Sequence, residues 1–476
     1  MAKRKINVLY ISAECFPLAK VGGLADVIGS LPKSLQKNKN ININICLPLY
    51  QQLLNLRKKE TIISSLNIYN QKIDIYKTKL PLSNVNIFLF YNKKWLSQGP
   101  IYLKPHTHSS DSNQERFAFF NLAVIEFLKK IKSAPNIVHC HDWHTGLIPY
   151  LIKKEPKLIK IKTVFTIHNI ANQGIWEVAK AKKMNISIPK TNGNFINFIE
   201  TGIRYTDFIT TVSPTYAKEI LTKKYGYNLT PLLNKRKNKL VGILNGIDND
   251  EFNPVTDKKI FYNYNIKKIS VKKLNKTKLQ KLSGLPIEPK NLLLGVVTRL
   301  YEQKGMDWLA EIIPHLQNLK IQIILLGTGD KLLEKKFKLL EKKYPKTLHA
   351  QIDFNIKLAQ QIYAGSDAFL VPSRFEPCGL TQMIAMRYGA IPIVRATGGL
   401  KDSVKPYKKY KKAIRGNGFV FTDENSTALL RGIENAIKIY HNKNIWKQLQ
   451  ENCMQQNFSW ETSAKKYISL YKKLTS

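Results

Sequence analysis

The chain has 476 residues, 43% of them hydrophobic and 23% charged, which excludes a disordered polymer and implies two or three globular domains. Five cysteines without a CxxC pair argue against a disulfide scaffold or a Cys-rich zinc module, and the lack of an 18-residue apolar run argues against a membrane span. A net charge of +43 fits nucleic acid, an anionic membrane or an anionic substrate, but the lysines are scattered among abundant Asn and Ile, which reads as compositional drift.

Five residues, Met1 to Lys5, lead straight into Ile6–Ser12, an apolar strand rather than a signal peptide, so reduced thiols in a cytosol-like compartment are expected. Further strands are predicted at Ile43–Pro48, Val85–Phe90, Asn136–Cys140, Thr163–Ile167, Phe208–Val212 and Val241–Leu244. A second series follows at Leu292–Thr298, Ile321–Gly327, Asp367–Ser373 and Ile391–Arg395. Continuously apolar strands separated by helix-length segments predict two α/β domains, each a doubly wound parallel sheet, facing each other across a cleft. The polar stretch Asn253–Lys290, with Pro254, Pro286 and Pro289, reads as the junction, partly helical at its centre. The tail Ser459–Leu474 reads as a helix, with Trp460, Ala464, Tyr467, Tyr471 and Leu474 on one face.

The chemistry sits at the strand ends. After the first strand, Lys20-Val-Gly22-Gly23-Leu-Ala-Asp26 is a glycine turn opening a helix, suited to an anion on its N–H groups, with Lys20 adding charge and Asp26 suited to sugar hydroxyls. His139-Cys-His141-Asp142-Trp143-His144 and Thr166-Ile-His168-Asn169 end two later strands. The His and Asp spacings match no metal-ligand set, so polar ligand binding is expected and metal is not. In the second half, Arg299 and Lys304 are placed to reach a diphosphate, Arg as a planar fork and Lys as a point charge. Glu376-Pro-Cys378-Gly379-Leu380-Thr381 offers a carboxylate to sugar hydroxyls, and Thr397-Gly398-Gly399 is another glycine turn opening a helix.

These strings, together with Thr211-Val-Ser-Pro-Thr-Tyr-Ala, Gly242-Ile-Leu-Asn245-Gly-Ile-Asp248 and Ser373-Arg-Phe-Glu-Pro-Cys-Gly-Leu-Thr-Gln382, resemble bacterial glycogen synthase and plant starch synthase in order and spacing from about Ile6 to Tyr471. The resemblance implies a glycosyltransferase-B fold. Residues 1–245, with the C-terminal helix 459–476 packed back on them, would form the acceptor side, and 246–456 the sugar-nucleotide side. It implies transfer of glucose from ADP-glucose to the non-reducing end of an α-1,4-glucan, glycogen for example, with retention of configuration. ADP-glucose is then a substrate, and no cofactor is implied. Glu376, Arg299, Lys304, Asp142 and His168 would serve catalysis. Lys20, Gly22, Gly23, Asp26, Tyr102, His144, Asn245, Phe354, Cys378, Gly379, Leu380, Thr381, Gly398 and Gly399 would bind substrate, Phe354 by offering a ring face to the base. Glu200 and Phe252 depart from the family pattern outside the motifs assigned to chemistry. Ile384 stands where a broader family of retaining transferases carries a second Glu, an absence that agrees with the glycogen synthase resemblance rather than with those relatives. Neither a specific nucleic acid nor a membrane is an expected partner. A monomer or weak oligomer is expected, in a bacterial cytoplasm or, for an organelle-encoded protein, a plastid.

Overall fold

Near-continuous apolar runs become strands covered on both faces: every residue of Ile321–Leu326 and of Ile391–Arg395 is buried. The computed structural model describes residues 5–103, 112–189, 193–410 and 414–476. They divide into two units, 1–246 with 460–476, and 247–459.

The first unit is built on a nine-stranded sheet. Its seven parallel strands run, in spatial order, Leu240–Gly242, Phe208–Thr211, Lys162–Ile167, Ile137–His141, Ile6–Ile11, Ile41–Pro48 and Asn86–Tyr91. Two antiparallel strands, Gln71–Lys79 and Thr61–Ile68, finish the edge. Sequence order reverses between Ile6–Ile11 and Ile137–His141, so the topological switch point lies there, and the carboxyl ends of those two strands flank the crevice where such sheets bind ligands. The helix Trp460–Thr475 packs on the helix Gly23–Gln36. It buries Trp460, Ala464, Tyr467 and Tyr471 in this unit's core, with Leu474 packed at its margin.

The second unit is a six-stranded parallel sheet in the spatial order Leu348–Gln351, Ile321–Leu326, Leu292–Val297, Ala368–Val371, Ile391–Arg395 and Phe419–Phe421. Numbered along the chain this is 3-2-1-4-5-6, with the switch point between Leu292–Val297 and Ala368–Val371.

All eleven strands expected from apolar runs are present, most with ends moved by one or two residues. The edge hairpin was not anticipated. Its strands are polar and half exposed, and its two-residue turn, Tyr69 and Asn70, has φ of 49° and 58°, the double left-handed geometry that matches strand twist. The segment read as a junction is instead a packed part of the second unit. The helix Lys272–Leu282 lies on the helix Ile356–Gly365 and buries Lys272, Asn275, Lys276 and Gln280. These polar side chains face inward. Lys276 Nζ pairs with Asp367 at 2.6 Å, and Lys272 Nζ donates to the carbonyls of Tyr363 and Ala364 at 3.0 and 2.7 Å. Burial pushes the Lys272 ammonium down to about 7.

Candidate active site

In the first unit the strand Ile6–Ile11 gives way to a loop organised by Glu14, which is 3% exposed. One carboxylate oxygen accepts the N–H groups of Val21 and Gly22 at 2.7 and 2.8 Å, and the other accepts the Tyr102 hydroxyl at 2.6 Å. The sequence reading offered the N–H groups of this turn to an external anion. Those of Val21 and Gly22 are instead donated to an internal carboxylate. Lys20 Nζ lies 2.6 Å from Asp26, both side chains about a quarter exposed. Tyr102 stacks on His144, with ring centroids 5.3 Å apart, and its loop is pinned by the buried guanidinium of Arg116, which donates to the carbonyls of Trp95, Pro100 and Ile101.

Across the switch point, the strand Ile137–His141 ends in Asp142, whose backbone sits at φ 61°, ψ −177°. That region is essentially reserved for glycine, and a buried aspartate held there is the strain found at functional positions. Burial pushes the Asp142 carboxyl up to about 8, against the opposing pull of the Asn169, His168 and Trp143 amides. His141 Nδ1 meets His168 Nε2 at 3.0 Å. Burial holds His144 and His168 down to about 3 and His139 and His141 well below the ordinary imidazole range, so all four rings are neutral at pH 7. Behind them runs a buried chain. Tyr10 and Tyr471 hydroxyls meet at 2.6 Å, Tyr471 meets His139 Nδ1 at 2.7 Å, and His139 Nε2 meets Thr166 Oγ1 at 2.6 Å.

Asp142 Oδ1, His141 Nε2, His144 Nδ1 and Asn245 Oδ1 are buried without a hydrogen-bond partner. Unpaired buried polar atoms are rare and costly. All four belong to strand-end segments on the carboxyl side of this sheet, where a polar ligand would pair with them.

In the second unit, Glu376 is 7% exposed, and its Oε2 lies 2.5 Å from Lys304 Nζ and 2.9 Å from Ser373 Oγ. It follows Ala368–Val371, one of the two switch-point strands. Arg299 follows the other, Leu292–Val297, with its guanidinium 5.7 Å over the Tyr301 ring and exposed. Gly398, at φ 43°, lets the turn pass under Glu376: an added Cβ would sit 1.9 Å from the Glu376 carbonyl oxygen, and one on Gly399 would sit 2.1 Å from that of Cys378. Gly399 N–H donates to the Glu376 carbonyl at 3.1 Å. Cys378 is buried and Gly379 has φ 70°; Leu380 and Thr381 open the next helix. Phe354 lies beyond the edge strand Leu348–Gln351 and is 69% exposed.

Sequence reasoning missed Glu14, Arg116, Ser373 and the pair Arg374–Asp307. An acidic residue sealing an apolar strand, eight residues before a glycine turn, was the readable signal for Glu14. Arg374, inside the motif, is not available to a ligand: it pairs with both oxygens of Asp307 at 2.6 Å and lies over Trp308. Glu200, a departure from the family pattern, pairs with Arg204 on its own helix at 2.5 Å. Among the described residues no three His, Cys, Asp or Glu side chains are grouped to hold a metal ion, and no helix is long and apolar enough to cross a membrane.

Residues 7–235 match the family model of the starch synthase catalytic domain, and residues 279–456 that of the glycosyl transferases group 1. Glycogen synthases of Thermosipho melanesiensis and Fervidobacterium nodosum are each 43% identical, over 99% of this chain and 99% of theirs. Among solved structures, the catalytic domain of starch synthase IV from Arabidopsis thaliana, bound to ADP and acarbose, superposes with a TM-score of 0.89 at 33% identity, covering 99% of both chains. Sucrose-phosphate synthase from Thermosynechococcus elongatus, at 16% identity and a TM-score of 0.61, shares the fold. With two switch-point sheets ending in these motifs and relatives this similar over their whole length, the chain belongs to the glycogen synthase and starch synthase family, on a glycosyltransferase-B fold.

Proposed function

We infer that the protein transfers glucose from ADP-glucose to the 4-hydroxyl at the non-reducing end of an α-1,4-glucan, with retention. The observation that carries this reading is Glu376, a buried carboxylate held by Lys304 and Ser373 at a switch point whose other strand leads to Arg299. ADP and acarbose are bound in the starch synthase IV structure, which supports an adenine nucleotide and a glucan here.

Breaking the bond between glucose and diphosphate leaves an oxocarbenium-like sugar and a leaving group with growing negative charge. Cations fixed in advance at that charge are the strongest lever, each worth about 3 kcal/mol. Arg299 and Lys304 take this role in the second unit, helped by the helix that begins at Gly398, and Lys20 takes it from the first. Glu376 accepts hydrogen bonds from the hydroxyls of the transferred glucose. Asp142, protonated at neutral pH before substrate arrives, donates one to a sugar oxygen, and the neutral His168 offers a further polar contact. A two-carboxylate hydrolase needs acids flanking one bond. Glu376 and Asp142 are instead given separate sugar contacts. The leaving phosphate takes the acceptor's proton in a front-face transfer.

Incubation with glycogen and either ADP-glucose or UDP-glucose tests the reading, with released nucleotide and the anomeric signal of the new linkage as readouts. ADP release with a new α-1,4 linkage is expected. Release of UDP alone would reassign the donor, and release of neither would end the reading.

A further inference from the structure

The site in the second unit is divided between two loops that the sheet beneath does little to join. Residues 299–305 follow the strand Leu292–Val297 and carry Arg299 and Lys304. Residues 372–379 follow the strand Ala368–Val371 and carry Ser373 and Glu376. These strands flank the switch point and share only two paired positions, Leu294 with Ala368 and Gly295 with Phe369. The ladder therefore stops before either loop begins, yet Lys304 Nζ and Glu376 Oε2 meet at 2.5 Å across the gap.

Arg374 closes that gap. Its side chain leaves its own loop and grips the other. The two Nη atoms donate to different oxygens of Asp307, each at 2.6 Å, Nη1 also donates to the Glu302 carbonyl, and the guanidinium lies 4.1 Å from the centre of the Trp308 ring. Its backbone N–H donates to the Gln303 carbonyl at 2.8 Å, and Gln303 Nε2 donates back to the Phe375 carbonyl at 3.3 Å. Residues 302, 303 and 307 bracket Lys304, while 374 and 375 immediately precede Glu376. With each side chain of the Arg374–Asp307 pair 30% exposed, solvent screens the charge attraction. What the bidentate, stacked geometry supplies is placement, because a planar fork fixes angle as well as distance. The loops approach so closely that only glycine fits at Gly305: its φ is 69°, and an added Cβ would lie 2.2 Å from the Pro372 carbonyl oxygen. On the other flank Arg395, 4% exposed, donates to the carbonyls of Ser373, at 2.9 Å, and Arg374, and pairs with Glu424 at 3.2 Å. The segment leading to Glu376 is thus held from both sides.

We propose that Arg374 is a positioning residue for the transfer. Through Asp307 and Glu302 it fixes the loop of Lys304 against that of Glu376, so that cation and carboxylate meet the diphosphate and the transferred sugar in one register. The inference rests on the function proposed above and adds a residue to it.

The test uses the full chain with ADP-glucose and glycogen. Arg374→Ala is expected to lower kcat about ten- to hundredfold, with donor KM and the calorimetric affinity for ADP changed less than about threefold. Ethylguanidinium, which can re-form the fork on Asp307, should restore part of the lost kcat, and ethylammonium at the same concentration should not. Because Arg374 acts through Glu376, Arg374→Ala should cost little further activity in a Glu376→Ala background. If Arg374→Ala folds poorly, Asp307→Asn keeps the shape of the pair with a single acceptor oxygen, and should show the same split in weaker form. A kcat within about twofold of the unaltered chain in both variants would overturn the proposal. A matching loss of ADP affinity would also overturn it, by making Arg374 a ligand of the donor. So would a loss that guanidinium does not rescue and that adds fully to that of Glu376→Ala, the mark of a merely structural role. If the unaltered chain does not turn over ADP-glucose, the functional reading fails first and independently, before any variant is compared.

Discussion

At the scale of single residues, the site depends on carboxylates in three different environments. Glu376 is paired with Lys304, and under the proposed function it would strengthen a contact to the transferred sugar only as charge develops, so Glu376→Ala is expected to lower kcat far more than it raises the donor KM. Steady-state kinetics with varied donor checks this. Glu14 gathers the Val21 and Gly22 amides and the Tyr102 hydroxyl around one group. Glu14→Ala is expected to cut kcat about a hundredfold through loss of positioning, with ADP affinity unchanged. Glu14→Gln keeps one oxygen for both amides and turns its NH₂ toward the Tyr102 oxygen, so it should retain most activity. Asp142 has its carboxyl raised to about 8 by burial, whereas in the unfolded chain it ionises near 4. Between those values the folded form holds a proton that the unfolded form has lost, so this group's contribution to stability falls as pH rises from about 4 to about 8. Asp142→Asn mimics the protonated acid. Its melting temperature should gain on the wild type across that interval and level off above it; a constant difference in a pH series of thermal melts would contradict the assignment.

At the scale of elements, the C-terminal helix was legible from spacing alone, because Trp460, Ala464, Tyr467 and Tyr471 recur at three and four residues and all four are buried. Its chemistry was not. Tyr471 reaches both Tyr10 and His139, and nothing in a hydrophobic pattern distinguishes a buried ring from a buried ring with a shared hydroxyl. Tyr471→Phe leaves two buried polar groups short of a partner and should cost about 1–3 kcal/mol, read from the denaturant midpoint. The His139 ring stacks on that of His141 at 4.3 Å, so part of the loss should also appear in activity. The same limit explains the helix Lys272–Leu282. Its lysines and amides are the residue types of a solvated linker, yet here they bond to carbonyls at strand and helix ends. The strand ends were readable because apolar runs stop where glycine and charge begin. The Tyr102 partner of Glu14 and the Asp307 partner of Arg374 were not, since they lie 88 and 67 residues away along the chain.

At the scale of the whole molecule, the chain folds under a net charge of +43. Most of this excess sits on exposed lysines of helices such as Lys331–Lys343, where Lys331, Lys335, Lys336, Lys338, Lys342 and Lys343 all face solvent. Like charges on one surface repel and oppose the compact state, and repulsion is relieved as salt shortens the screening length from about 30 Å at 0.01 M to about 10 Å at 0.1 M. Melting temperature should therefore rise as sodium chloride goes from low to physiological concentration, before any specific salt effect. The four buried neutral histidines add to the repulsion on the acid side. Their folded values lie below the ordinary 6.5, so the stability they allow is complete above that pH and is lost as pH falls toward about 3, the value of His144 and His168. The same surface will attract any polyanion. If the charge is drift, duplex DNA should bind weakly, without sequence preference, and with an affinity that falls steeply with salt as counterions are released. Titration of labelled duplexes of different sequence at two salt concentrations measures both properties, and tight, sequence-selective binding at physiological salt would mean that the lysines form a site.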